Sequence, residues 1–128
     1  MNRSLENLNL TLQGLRRAYR RDGVRPTAVI EEVLRRIAAY DDPAIWIHLV
    51  PRDALLARAA ELETATMADL PLYGVPFAIK DNIDLAGAPT SAACPAFAYT
   101  PTASAPVVDR LIAAGAVAIG KTNLDQFA

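Results

Sequence analysis

Two short apolar runs, separated by a long irregular stretch and one helix-length segment, set the tightest limit on how this chain folds. The first, "YGVPFAIKDN" (73–82), reads as a strand entered through Gly74 that ends abruptly in three polar residues. The second, "AVAIG" (116–120), reads as a short buried strand. Between them, residues 83–103 are punctuated by Gly87, Pro89, Pro95 and Pro101, and "SAPVVDRLIAAG" (104–115) carries Pro106 in a first turn, Val107, Leu111 and Ile112 at helical spacing, and Gly115 as a stop. Strand, crossover, helix and strand make a βαβ unit. The expected fold is therefore α/β, with leading helices followed by the first βαβ portion of a mixed, largely parallel sheet. An irregular connection as long as 83–103 inside a compact domain marks function or covers a site.

The lead-in, 1–66, is expected to be mainly helical. Leu5, Leu8, Leu12, Leu15 and Tyr19 recur at three- and four-residue steps along one helical face, with Arg16, Arg17, Arg20 and Arg21 toward its end and Gly23 as a stop. Those arginines read as solvated cations complementing the helix dipole rather than a patch for an acidic partner. A second helix follows Pro26, with Val29, Ile30, Val33, Leu34 and Ile37 on one face and Glu31/Arg35 and Glu32/Arg36 spaced i,i+4. "AIWIHLV" (44–50) reads as a strand, and Pro51 opens a helix through about Thr64. His48, the one histidine, reads as a packed strand residue rather than a metal ligand or general base, having no second histidine or cysteine nearby.

Composition excludes several functions. The 128 residues are one domain's worth, and no run approaches the roughly 20 apolar residues that span a bilayer. A formal charge of −1 gives the chain no basic excess for nucleic acid. The N-terminus lacks the unbroken apolar segment of a secretory signal, and Cys94, the one cysteine, has no internal disulfide partner. Both features favour a reducing cytoplasm. Nothing in the pattern asks for a metal or a cofactor.

"GAVAIGKT" (Gly115 to Thr122) satisfies G-x-x-x-x-G-K-[ST], the pattern of a phosphate-cradling loop. Such a loop needs a strand before its first glycine and a helix starting at the Lys-Thr pair. Here the residues before Gly115 read as helix and Ala116 to Ile119 as strand, so Gly115 serves as a helix stop and Lys121 as a polar residue at the carboxyl end of its strand. A nucleotide-binding module remains the rival reading. Open α/β sheets build their sites along that edge in either case.

Lys80 occupies the matching position on the preceding strand. If the strand alternates, Val75, Phe77 and Ile79 face one way, and Pro76, Ala78 and Lys80 the other. One reading is a solvated strand-end lysine. The other is chemical: a lysine drawn partly into the interior loses charge stabilisation, at roughly 1.4 kcal/mol per pKa unit, and the neutral amine so produced acts as a general base for a hydroxyl nucleophile.

"PLYGVPFAIKDNID" together with "VVDRLIAAGAVAIGKTNLDQFA" resembles the start of the amidase signature family, whose members hydrolyse or transfer amides. The resemblance covers roughly residues 71–128, and "DLAGAPTSAACPAFAYTPTASAPVV" is most similar to members that split the carboxylation product of urea into ammonia and carbon dioxide. Others in the family include a subunit that modifies charged tRNA. On this resemblance, 1–128 is an N-terminal fragment of an amidase domain, with 71–128 the start of the signature core. The family's triad is a nucleophilic serine, a bridging serine held by a cis peptide, and a lysine. The lysine falls on Lys80. Both serines belong to a Gly/Ser-rich stretch beyond the Asp-Gln-Phe-Ala segment that ends here at Ala128, so the fragment is expected to be inactive alone. Neither Ser91 nor Ser104 has a nucleophile's setting, and Ser104 reads as a helix-start residue. Asp81, Asn82, Asn123 and Asp125 are expected to orient the strand ends, without a catalytic role. The resemblance further implies a small-molecule amide substrate, no cofactor or metal, no nucleic-acid or membrane partner, and homodimers as a common form of intact relatives.

Overall fold

A computed structural model describes residues 4–128. Residues 1–3, the start of the stretch read above for a secretory signal, lie outside the described residues. The elements run α1 (Leu12–Arg20), α2 (Pro26–Ala39), β1 (Trp46–Leu49), α3 (Arg52–Glu63), β2 (Pro76–Lys80), α4 (Pro106–Ala113) and β3 (Val117–Thr122), with short 3₁₀ turns at Met67–Asp69 and Pro95–Phe97. The three strands form one mixed sheet in the order β1-β3-β2, β3 running antiparallel to β1 and parallel to β2. The βαβ unit is therefore present, with α4 and the long loop as its crossover.

Helix α1 begins later than the leucine spacing suggests. Thr11 caps it, its hydroxyl accepting from the Gly14 N–H at 3.0 Å, while Leu5 and Leu8 lie upstream in non-helical chain. That segment is held by Arg36, whose guanidinium donates to the carbonyls of Leu5, Glu6 and Leu8. A helix would have consumed those carbonyls in its own ladder. The i,i+4 pairing expected on α2 is also replaced in part: Arg35 and Arg36 both grip Glu32, and Glu31 instead pairs with Arg52 of α3. Two arginines on one buried carboxylate hold Glu32 down at about 2.

Leu15 and Tyr19 of α1, Val29 and Ile30 of α2, and Leu55, Ala59 and Leu62 of α3 pack with Val117 and Ile119 on one face of the sheet. Ile79, Leu85, Ala88 and Val108 form a smaller apolar layer under α4 on the other. Burying a single Leu or Ile side chain is worth about 1.5–3 kcal/mol, so the larger layer is the main support of the fold.

One irregularity matters for the site. Phe77 pairs with Ala118, but Ala78 pairs with Gly120, leaving Ile119 as an extra residue in β3. Side chains alternate along a strand, so a regular β3 would carry Lys121 on the Val117 and Ile119 face. The bulge turns it to the opposite face, beside Ile79. Gly120 permits this crossing, because a Cβ there would run into the carbonyl oxygen of His48 on β1.

Candidate functional site

Lys80 and Lys121 both end strands at the carboxyl edge, and the register sets them apart. Lys80 is aligned with Thr122, and Ile79 with Lys121. Neighbours in a strand point to opposite faces, so the two lysines leave the sheet on opposite sides. Lys80 is exposed and forms no ion pair with a described residue. The withdrawal into the interior that the chemical reading required is absent among these residues: Ala78, on the same face, is also exposed, so nothing covers the amine.

Lys121 is the buried lysine, at 0 % exposure, and Asp81 is its partner at 2.8 Å, also at 0 %. The Lys121 ammonium donates in addition to the Pro89 carbonyl and the Thr90 hydroxyl, both at 3.3 Å, which uses its three protons. The other carboxylate oxygen of Asp81 accepts from the Ser91 N–H at 3.0 Å and from the Ser91 hydroxyl. Burial alone pushes the Asp81 carboxyl up; the hydrogen bonds from Lys121 and Ser91 outweigh it and leave Asp81 below the ordinary carboxylate range. The backbone of Asp81 is equally engaged, its N–H donating to Thr122 and its carbonyl accepting from Ala92.

This network anchors the long loop. Thr90 donates from its hydroxyl to Asp84 at 2.8 Å, and Tyr99 donates to the same oxygen at 2.7 Å, while Thr90 and Tyr99 pair through their backbones. Ser91 to Cys94 then form a tight turn, closed by the Cys94 N–H on the Ser91 carbonyl at 2.9 Å, with Ala92 and Ala93 both at positive φ (51° and 60°). Left-handed backbone costs a non-glycine residue roughly 1–2 kcal/mol. The anchors on either side hold the turn in that conformation. Phe97 stacks edge-to-face on Tyr99 and on Phe127, at 5.7 and 5.4 Å between centroids, which ties the loop to the segment after β3.

The other sequence candidates fall as follows. Asn82 donates to the Ala128 carbonyl at 2.9 Å, and Asn123 accepts locally from the Leu124 N–H. Asp125 enters through its backbone carbonyl, which accepts from Ala128. Ser104 does not start α4: its hydroxyl accepts from the Ala86 N–H at 2.8 Å, and Ala105 precedes the helix. His48 is half-buried on β1 and borders an apolar cavity of about 260 Å³, lined also by Leu55, Arg58, Leu85, Ile112 and Val117 and not by Lys80. Among the described residues, no three His, Cys, Asp or Glu side chains come together as a metal-binding set, and no helix is long and apolar enough to cross a membrane.

The phosphate-loop pattern is resolved against nucleotide binding by its geometry. Gly115 ends α4 at a φ of +100°, and Val117 to Thr122 are strand. No helix begins at the Lys-Thr pair, and the lysine that would reach phosphate is closed inside the protein.

Comparison with known proteins agrees with this architecture. A urea amidolyase of Lachancea kluyveri is 55 % identical over 92 residues, covering 71 % of this chain and 5 % of that protein. A glutamyl-tRNA(Gln) amidotransferase subunit of Chloroflexus aurantiacus is 40 % identical over 125 residues, 94 % of this chain and 26 % of that one. The crystal structure of Kluyveromyces lactis allophanate hydrolase superposes with a TM-score of 0.77 at 43 % identity, over 94 % of this chain and 20 % of that one. The chain thus spans between a twentieth and about a quarter of the length of these relatives. The amidase family, described as "Amidase", matches residues 28–128, and the chain belongs to it.

Proposed function

We propose that this chain is the N-terminal part of an allophanate-hydrolysing amidase acting in urea degradation in a reducing cytoplasm, with Lys80 as its proton acceptor. The observation that carries the reading is the position of Lys80: a lysine without a counterion among the described residues, at the carboxyl edge of a parallel strand, exposed on the face of the sheet opposite the buried Lys121–Asp81 pair. The 55 % identity to a urea amidolyase supports allophanate over other amides. In the mechanism, the Lys80 amine accepts a proton through a bridging serine from a nucleophilic serine. The nucleophile attacks the amide carbonyl, ammonia leaves, and water hydrolyses the acyl-enzyme. Neither serine is assigned to a residue of this chain: Ser91 is committed to Asp81 and Ser104 to Ala86. The 128 residues therefore supply a base without its nucleophile.

Two measurements test this. The purified 128-residue chain, incubated with allophanate, releases no ammonia above the buffer rate; turnover abolished by Lys80→Ala would overturn the incomplete-site reading. When residues 28–128 replace the aligned segment of a urea amidolyase, the chimera releases ammonia from allophanate, and Lys80→Ala within it lowers the rate at least a hundredfold, the lower range for a lost general base. A chimera indifferent to Lys80→Ala refutes the role. The 40 % identity to an amidotransferase subunit favours a second reading, amide transfer with glutamine as donor. A chimera that releases ammonia from glutamine and not from allophanate selects it.

A further inference from the structure

The chain holds only two lysines, and Asp81 stands between them. It follows Lys80 directly in sequence, so the two charged groups leave adjacent positions of the chain. In the structure that carboxylate is turned to the other face of the sheet and fully engaged, by Lys121 on one oxygen and by the Ser91 N–H and hydroxyl on the other. Asp81 is needed there, because it holds Ser91 and with it the tight turn of the loop. An anion beside a base is nevertheless a hazard, since an ion pair would keep the amine protonated and occupied. The bulge at Ile119 brings Lys121 to the side where it removes that hazard, and the resulting pair is closed, buried and of zero net charge. Burying two charges rarely repays its desolvation cost in stability alone, which leaves a role for the pair beyond stability.

We infer that Lys121 is a positioning residue for Lys80: it holds the Asp81 carboxylate on the loop side of the sheet, so that Lys80 has no counterion among the described residues and its amine stays open on the other side. This rests on the reading of Lys80 as a proton acceptor. It predicts that breaking the pair alters Lys80 through charge rather than through loosened structure.

The test reads the amine without turnover. The intact chain is acetylated at fixed pH 8 with the N-hydroxysuccinimide ester of acetic acid, and the rate at Lys80 is followed by peptide mass spectrometry, with folding monitored by amide NMR. In Lys121→Gln, whose amide still donates to Asp81 and lets it stay ionised at this pH, the carboxylate charge is no longer balanced and acetylation at Lys80 slows about threefold, the factor for one unit charge at about 6 Å in a water-like dielectric. In Lys121→Gln/Asp81→Asn the anion is gone and the wild-type rate returns. A merely structural role changes the double variant in the same direction as the single one. An unchanged rate in the single variant, a double variant that tracks it, or loss of folding in the single variant overturns the proposal. The hydrolase reading is decided separately, by ammonia release from the chimera.

Discussion

Removing the Lys121 ammonium should destabilise the fold by an amount that depends on pH, because Asp81 has one escape from being a buried unpaired anion: it takes up a proton. In the wild-type protein Asp81 is held below the ordinary carboxylate range by Lys121 and Ser91. Its contribution to stability is therefore present above the unfolded-state value, about 4, and is lost only as pH falls below it. In Lys121→Met, burial acts against a carboxylate that keeps only Ser91 as donor, and its folded-state pKa moves above the unfolded value. Stability then falls as pH rises from about 4. Protonation at pH 7 costs about 3 units at roughly 1.4 kcal/mol each, or about 4 kcal/mol, which agrees with the roughly 3–5 kcal/mol typical of breaking a buried pair. At pH 5 the same arithmetic leaves about 1.4 kcal/mol. Against a total stability of about 5–15 kcal/mol, the variant is folded at pH 5 and marginal near neutrality. Urea unfolding followed by circular dichroism at pH 5, 6 and 7 should give a wild-type minus variant difference that grows by about 1.4 kcal/mol per unit, and Asp81→Asn in the Lys121→Met background should flatten that slope. A difference independent of pH, or a slope surviving Asp81→Asn, would refute the argument, since the cost would then be one of packing alone.

Three further outcomes follow from the geometry. Glu32, held at about 2 by Arg35 and Arg36, stabilises the fold above the ordinary carboxylate value and loses that contribution as pH falls from about 5 toward 2; thermal melts should show this acid loss shrinking in Glu32→Gln. Gly120→Ala drives a methyl into the backbone of β1 and should cost about 1–3 kcal/mol or more in urea unfolding, whereas a loss under 0.5 kcal/mol would mean that β1 yields freely. Lys80→Ala, by contrast, removes an exposed side chain with no ion-pair partner among the described residues and should change stability by no more than about 0.5 kcal/mol in the same assay, which separates its proposed role from any part in holding the fold.

Most of the architecture is legible in the sequence because it rests on local signals. Pro26, Pro51 and Pro106 mark helix starts, Gly115 a stop, and the apolar runs around Phe77 and Ile119 the strands. The first helix is the exception at its start: leucine spacing ignores Thr11, a cap whose hydroxyl sets the boundary, and Arg36, a competitor some 30 residues away for the upstream carbonyls. The resemblance places the candidate base on Lys80, but the ion pair is not legible. A lysine ending a strand is ordinarily solvated, and the residue that pairs with Lys121 in the interior lies 40 positions earlier. The bulge that aims it has no simple code in "AVAIGKT"; Gly120 is the one local hint, since a glycine inside a strand often marks such an irregularity or a close backbone approach.

The same bulge bears on how β2 and β3 find their alignment. Because Lys121 lies one residue past a reversal of facing, sliding β3 by a single position would carry its ammonium into the layer formed by Leu15, Ile30, Leu55 and Val117, and would leave Asp81 facing an apolar neighbour. Two short, apolar parallel strands would otherwise discriminate weakly between neighbouring registers. Here a one-residue slip strands two charges at once, which disfavours that register against the native one.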